Sequence, residues 1–235
     1  MSKVLLIRHG QASFGAQNYD QLSPLGMQQA QLLGQHLCQR DIQDCKVIRG
    51  NMQRHLQTLT HCMEQLTYDA TEPTVLPQLN EFDHQDVLLT YGRHQAGDNS
   101  IAEFNNLNTK EKLNTSLFIK VFYQAISRWQ SSLYDEQYSE SWSQFCQRIN
   151  TGLNQLIQHS QESQQPLLVF TSGGVISRIV CQLLGLADDQ LMTFNKHLIN
   201  CSVTELKVGN KRTEIISLNE QSLFDGPNKP LRTLL

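Results

Sequence analysis

Arg8-His9-Gly10, Arg54, Glu81 and Ser172-Gly173-Gly174 are the residues of this chain whose types and spacing could do chemistry, and the chemistry they share is the handling of a phosphoryl group. The guanidiniums of Arg8 and Arg54 offer planar forks that match phosphate oxygens and offset the charge of a phosphoryl dianion. Gly173 and Gly174, opening a helix, would add backbone N–H donors of the same polarity. Inside such a cradle a histidine is either one more donor or the nucleophile. A neutral imidazole can attack phosphorus with one nitrogen while the other is held by a hydrogen bond. A leaving alkoxide then needs a proton. Glu81 is the candidate acid, in a loop beside Asp83 where a neighbouring charge or partial burial would raise its pKa.

These residues matter only if distant parts of the chain bring them together. Residues 3–8 are an aliphatic run followed by glycine, the pattern of a buried parallel strand that ends at a site. A polar loop is expected over 11–22. Ser23-Pro24 then supplies an N-cap and a first-turn proline for an amphipathic helix to about residue 40, through Leu25, Ala30, Leu32, Leu33 and Leu37. The plan repeats as a strand at 46–49, a turn at Gly50-Asn51 and a helix over 53–65. A weaker strand at 74–76 leads through Pro77 to Glu81. Residues 143–161 form an amphipathic helix through Phe145, Ile149, Leu153, Leu156 and Ile157. The strand 166–171 runs directly into Ser172-Gly173-Gly174 and a helix over 175–184. Residues 201–208 and 213–218 alternate apolar with polar about Gly209-Asn210, as a hairpin does, and the last dozen residues read as an extended tail.

Between these units, residues 84–144 turn polar and helical, with Leu117, Val121, Phe122 and Ala125 at helical spacing and no strand-like run. They read as a helical insertion or cap over one end of the sheet, within a single domain spanning 1–235. Alternating strands and helices predict a three-layer α/β/α sandwich around a mostly parallel sheet, whose sites gather at the carboxyl ends of the strands. Three strand-to-helix junctions, carrying Arg8 and His9, Arg54, and Ser172 with the two glycines, would then meet at one edge.

Composition narrows the partners. With a formal charge of −3 and 17% charged residues among 235, the chain lacks the broad basic footprint that nucleic acid or an anionic membrane requires. The apolar run 4–7 is too short for a signal-peptide core or a spanning helix, so a cytoplasmic location is expected. Six cysteines without a CxxC pair read as reduced, partly buried thiols and not as a metal or disulfide set. A small phosphorylated substrate is the expected partner. Oligomeric state stays open, because an apolar residue of the insertion could face a lid, a core or another chain.

Ordered motifs carry a family resemblance. Leu6-Ile7-Arg8-His9-Gly10-Gln11-Ala12-Ser13, Leu22-Ser23-Pro24-Leu25-Gly26 with Gln29-Ala30, Gly50 with Arg54 and Gln57-Thr58, Leu79-Asn80-Glu81, and Ser172-Gly173-Gly174 with Asn200-Cys201-Ser202-Val203-Thr204 follow one another from first strand to last hairpin. In this the chain resembles the histidine phosphatase superfamily, in its phosphoglycerate-mutase-like branch. The resemblance implies a phosphoglycerate-mutase-like fold, no metal or organic cofactor, and a phosphohistidine intermediate. It implies that His9 is phosphorylated, that Arg8 and Arg54 grip the phosphate, and that Glu81 donates the proton; Ser172 and Gly173, at the start of a helix, are expected from their position to add phosphate contacts. A phosphomonoesterase is the leading expectation, a phosphoglycerate-type mutase the nearest alternative.

One departure bears on activity. The family usually carries a second histidine where this chain has Ser172. Exchanging a charged donor, worth about 1.5–3 kcal/mol, for a neutral one of about 0.5–1.5 kcal/mol would cost roughly one to two decades in rate. A weakly active or inactive phosphate-binding regulatory protein is therefore a third reading, unless another histidine, His55 or His197, supplies the imidazole from elsewhere. Gln11 also stands where many relatives carry Glu. Blander readings remain for each residue: Arg54 as a solvated helix-start charge, Glu81 as a helix cap or a surface ion pair, and Ser172 as a helix N-cap.

Overall fold

The computed structural model describes residues 2–13, 20–40, 42, 44–66, 72–95, 116–163 and 165–234. Part of the expected loop at 11–22, and residues 96–115 of the expected insertion, lie outside them. In chain order the elements are β1 (Ser2–Arg8), α1 (Pro24–Gln39), β2 (Lys46–Arg49), α2 (Gln53–Met63), β3 (Thr74–Val75), α3 (His84–His94), α4 (Ser116–Gln130), α5 (Trp142–Glu162), β4 (Leu167–Thr171), α6 (Gly173–Leu184), α7 (Leu191–Asn195), β5 (Val203–Val208) and β6 (Thr213–Glu220). The chain divides into two compact units, Met1–Glu81 with Arg148–Leu235, and Phe82–Gln147.

The larger unit is an α/β sandwich on a six-stranded sheet of order β3-β2-β4-β1-β5-β6. Its first four strands are parallel, and β5 and β6 add an antiparallel edge. In the centre, Leu5 stands opposite Leu168 and Ile7 opposite Phe170. These alternate residues join Leu33 and Leu37 of α1 and Leu59 and Cys62 of α2 in one core. The intervening residues Val4, Leu6, Leu167 and Val169 are equally buried, and α6 packs against β1. Helices thus cover both faces, which is why β1 and β4 read as continuous apolar runs.

Local signals set several boundaries. Ser23 caps α1 by accepting from Gly26 N–H at 3.0 Å, a contact worth about 1 kcal/mol, and Pro24 occupies the first turn. β3 stops at Val75, one residue short of expectation, because Pro77 opens a 3₁₀ turn over Pro77–Leu79. α6 begins at Gly173, two residues earlier than its apolar pattern suggests. β5 begins only at Val203, since Cys201 has a left-handed φ of 58°.

The chain end corrects the expected extended tail. Ser222–Phe224 and Gly226–Leu231 form 3₁₀ turns. Side chain and backbone of the core hold the end of the chain in place: Gln29 Nε2 donates to Leu231 O at 2.6 Å and to Thr233 Oγ1 at 2.8 Å, and Asn200 N–H donates to Thr233 O at 3.0 Å.

The second unit, considered alone, is helical among its described residues. Phe82 and Trp129 lie 4.9 Å apart between ring centroids, and Trp129 meets Trp142 edge-on at 5.0 Å. The buried indole N–H of Trp129 donates to Glu140 O at 2.8 Å, and Asp83 caps α3 through Gln85 and Asp86 N–H. All six cysteines are free thiols, and burial pushes those of Cys62 and Cys201 up, away from the reactive thiolate. No helix among the described residues is long and apolar enough to cross a membrane.

Candidate active site

The site begins where β1 ends. His9 N–H donates to Thr171 O at 2.9 Å, which extends the β1–β4 ladder by one residue, and Asn200 Nδ2 donates to His9 O at 3.1 Å. Gly10 N–H donates to Thr58 Oγ1 at 3.0 Å, and that hydroxyl in turn donates to Arg54 O at 2.7 Å, tying the loop to α2. Gly10 must be glycine, because a Cβ there would collide with the Gly26 carbonyl. His9 is therefore held by three separate segments.

The imidazole has a defined tautomer. His9 Nδ1 lies 2.7 Å from Gly10 O, and a carbonyl only accepts, so Nδ1 carries the proton. Burial foremost, then the charges of Arg54 and Arg8 and the neighbouring His55, holds the pKa of His9 well below the ordinary value of 6.5, against a smaller opposing pull from Gly10 O. At neutral pH the ring is uncharged and Nε2 presents a lone pair.

Both arginines are buried, Arg54 at 3% and Arg8 at 6% exposure. Arg54 Nη1 pairs with Asp20 Oδ1 at 2.8 Å, and the other Asp20 oxygen accepts from Gln53 N–H, also at 2.8 Å. Arg8 Nη1 donates to Leu198 O and, at 2.6 Å, to Leu234 O. Glu81 Oε2 accepts from Gly174 N–H at 2.9 Å, so its carboxyl group sits on the first turn of α6. The loop bearing it is braced by Arg148 of α5, which donates to Gln78 O at 2.9 Å and Asn80 O at 2.8 Å.

Ser172 and His55 meet here as well. The Ser172 hydroxyl makes no capping hydrogen bond to α6 and lies 2.7 Å from His55 Nε2. The His55 ring is 5.9 Å from that of His9, centroid to centroid. Burial, then Arg54 and Arg49, holds the His55 pKa well below 6.5. His197, the other histidine that could have filled the gap, is exposed. Arg178 of α6 reaches toward Asp188 at 3.9 Å.

The structure thus gathers Arg8, His9 and Arg54, and sets Ser172, Gly173 and Glu81 about the first turn of α6. Sequence reasoning missed Arg148, a polar residue in an amphipathic helix with nothing local to mark it. It also gave no part to Thr58 and Asn200, although both stand within the motifs. Among the described residues, no group of three or more His, Cys, Asp or Glu side chains is gathered to hold a metal ion.

Comparison with known proteins bears on the family and the fold. Residues 4–90 and 98–221 match the family model of the histidine phosphatase superfamily, branch 1. No curated protein matches the chain. Among solved structures, YhfR of Bacillus stearothermophilus is similar with a TM-score of 0.67 at 17% identity, over 96% of this chain and 100% of that one. The phosphoglycerate mutase of Bacillus anthracis gives a TM-score of 0.66 at 18% identity, over 94% of each chain. The alpha-ribazole phosphatase of Shigella flexneri gives 0.63 at 18% identity, over 93% of this chain and 96% of that one. At such identities these likenesses show a shared fold.

Proposed function

The chain belongs to branch 1 of the histidine phosphatase superfamily, and on that premise we propose that it is a phosphomonoester hydrolase working through a phosphohistidine on His9. One observation carries the reading: the His9 Nδ1–H bond to Gly10 O at 2.7 Å, on a ring kept neutral by burial and two arginines, leaves Nε2 as a ready nucleophile.

In the proposed reaction Arg8 and Arg54 take the phosphoryl oxygens, exchanging their present partners for the stronger charge of a dianion. Nε2 attacks phosphorus, the bond from phosphorus to the leaving oxygen breaks, and protonated Glu81 gives its proton to that oxygen. Water then attacks the phosphohistidine while the Glu81 carboxylate accepts its proton, which returns the enzyme to its starting state. A small phosphorylated molecule is the proposed substrate. Superfamily members are phosphatases or mutases, and transfer back to a second hydroxyl of the same substrate would use the same core.

The test is incubation with p-nitrophenyl phosphate and with 3-phosphoglycerate, comparing the native protein with His9→Ala and trapping an acid-labile phosphoenzyme. Release of phosphate that depends on His9 supports the hydrolase. Isomerisation of 3-phosphoglycerate replaces it with a mutase. Turnover that survives His9→Ala sinks the nucleophile assignment.

A further inference from the structure

Ser172 opens α6 without capping it. Its backbone has the extended conformation of an N-cap (φ −120°, ψ 165°), yet its hydroxyl makes no bond to the helix. That oxygen is 2.7 Å from His55 Nε2, and both residues are fully buried. A buried serine that forgoes a cap has its hydroxyl committed elsewhere. His55 arrives from α2, directly after Arg54, and its seat depends on Gly50. A Cβ at that position would collide with His55 Nδ1. Gly50 at the end of β2, His55 on α2 and Ser172 after β4 are thus fitted to one another, beside the His9 ring.

We propose that His55 and Ser172 act as one unit: His55 is a positioning residue that takes up a proton when a phosphoryl anion binds, and thereby makes the Ser172 hydroxyl a donor to that anion. The proposal rests on the phosphate site described above and adds to it a group that acts through serine.

The charged and titratable groups facing His55 are Arg54 on its own helix, Arg49 from β2 and His9 after β1, while the Glu81 carboxylate occupies the same turn of α6 as Ser172. Before an anion binds, burial and the two arginines keep the imidazole neutral. The Gly50 carbonyl beside Nδ1, though not aligned for a full hydrogen bond, favours the proton there. Nε2 then accepts a hydrogen bond from the serine O–H, and Oγ turns lone pairs toward the site. A phosphoryl dianion reverses the balance, because an opposite charge at short range favours the cationic ring. Protonated His55 donates from Nδ1 to Gly50 and from Nε2 to Ser172 Oγ, and the serine O–H turns to a phosphoryl oxygen. Only an N–H bond is made, with a proton drawn from solvent. The added positive charge is present while phosphate is bound and leaves with it, so product is not held by a permanent cation.

The experiment uses the full chain and inorganic phosphate. Binding is measured by calorimetry in two buffers of different ionisation heat, at pH values where phosphate is a dianion, for the native protein, Ser172→Ala, His55→Asn and His55→Gln. The native protein is expected to take up about one proton more than either His55 variant. With p-nitrophenyl phosphate, kcat/KM should fall about tenfold or more in Ser172→Ala and in His55→Asn, inorganic phosphate should bind more weakly to both, and the double variant should be no worse than either single one. Equal proton uptake in the native and His55 variants, or losses that add, overturns the pair. Phosphate binding with His55-dependent uptake but no turnover overturns the hydrolase reading and upholds the pair. Turnover through His9 with uptake unchanged in His55→Asn overturns the pair alone.

Discussion

Arg148 Nη1 donates to the Asn80 carbonyl at 2.8 Å, one residue before Glu81, and so fixes the backbone from which the proposed acid projects. The same nitrogen reaches Gln78 O, so a single guanidinium closes the loop at two points. Arg148→Met would free the loop and blur the placement of the Glu81 carboxylate. Acid catalysis contributes roughly 10²–10⁴-fold, and it matters most where the leaving group is a poor one. Arg148→Met and Glu81→Gln should therefore both lower kcat/KM, which reports transfer to His9, by about tenfold or more for an alkyl phosphate and far less for p-nitrophenyl phosphate. Equal losses on the two substrates would show that neither residue serves the leaving group.

The pH profile is set by the His9 environment. Its pKa is held well below 6.5, so the proposed nucleophile stays unprotonated into mildly acidic solution. The acid limb of kcat/KM should lie below that of an ordinary histidine. Arg54→Gln removes the largest of the charges that depress it, and should move the limb upward whatever it does to the rate. A limb that stays in place would assign it to another group.

Asp20 competes with any anion for Arg54, through the 2.8 Å ion pair. The carboxylate is 37% exposed, so the pair itself is worth no more than about 1 kcal/mol. Asp20→Asn keeps an oxygen for Gln53 N–H but gives up the charge. Inorganic phosphate should bind up to about fivefold more tightly to the variant, as read from its inhibition constant. Weaker binding would mean that Asp20 holds Arg54 in its useful rotamer.

Much of this frame was legible because it is local. The aliphatic run Val4–Ile7, the pair Ser23-Pro24 and the turn residues about Gly209 each carry their own structural instruction, and the parallel sheet follows from their alternation. The ordered motifs likewise placed His9, Arg54 and Glu81 in one family pattern. What could not be read was any relation made only by folding. Ser172 could cap α6 or face a pocket, and only the arrival of His55 from 117 residues away decides it. Arg148 has the same character, since its partners lie 68 and 70 residues back along the chain. The tail looked extended because the residues that bend and hold it, Gln29 and Asn200, belong to other parts of the fold.

Two buried neutral histidines also make the fold sensitive to acid. His9 and His55 are both held well below 6.5 in the folded protein, whereas the unfolded chain protonates them near that value. Unfolding therefore takes up protons below pH 6.5, and stability should fall as pH drops through it. Thermal melting between mildly alkaline and mildly acidic pH should show a declining midpoint. His55→Gln, which removes one of the two groups, should flatten that decline, and a slope equal to the native one would remove His55 from the account.

Putting a histidine at 172, where the family usually has one, is the substitution most directly suggested by the sequence, and the structure argues that alone it fails. Ser172 Oγ already lies 2.7 Å from His55 Nε2 in a fully buried setting, so a second imidazole has no space beside the first. Overpacking of this kind costs about 1–3 kcal/mol. Ser172→His should therefore lower the melting midpoint by several degrees, at roughly 2–4 °C per kcal/mol for a chain of this size, without raising kcat. Combining it with His55→Ala opens the volume that the new ring needs and leaves one imidazole near the phosphate. The double variant should regain stability and exceed the kcat of Ser172→Ala with His55→Ala. A gain in activity from Ser172→His alone would show that the pocket has room for both rings, and that the site lacks a charge which His55 does not supply.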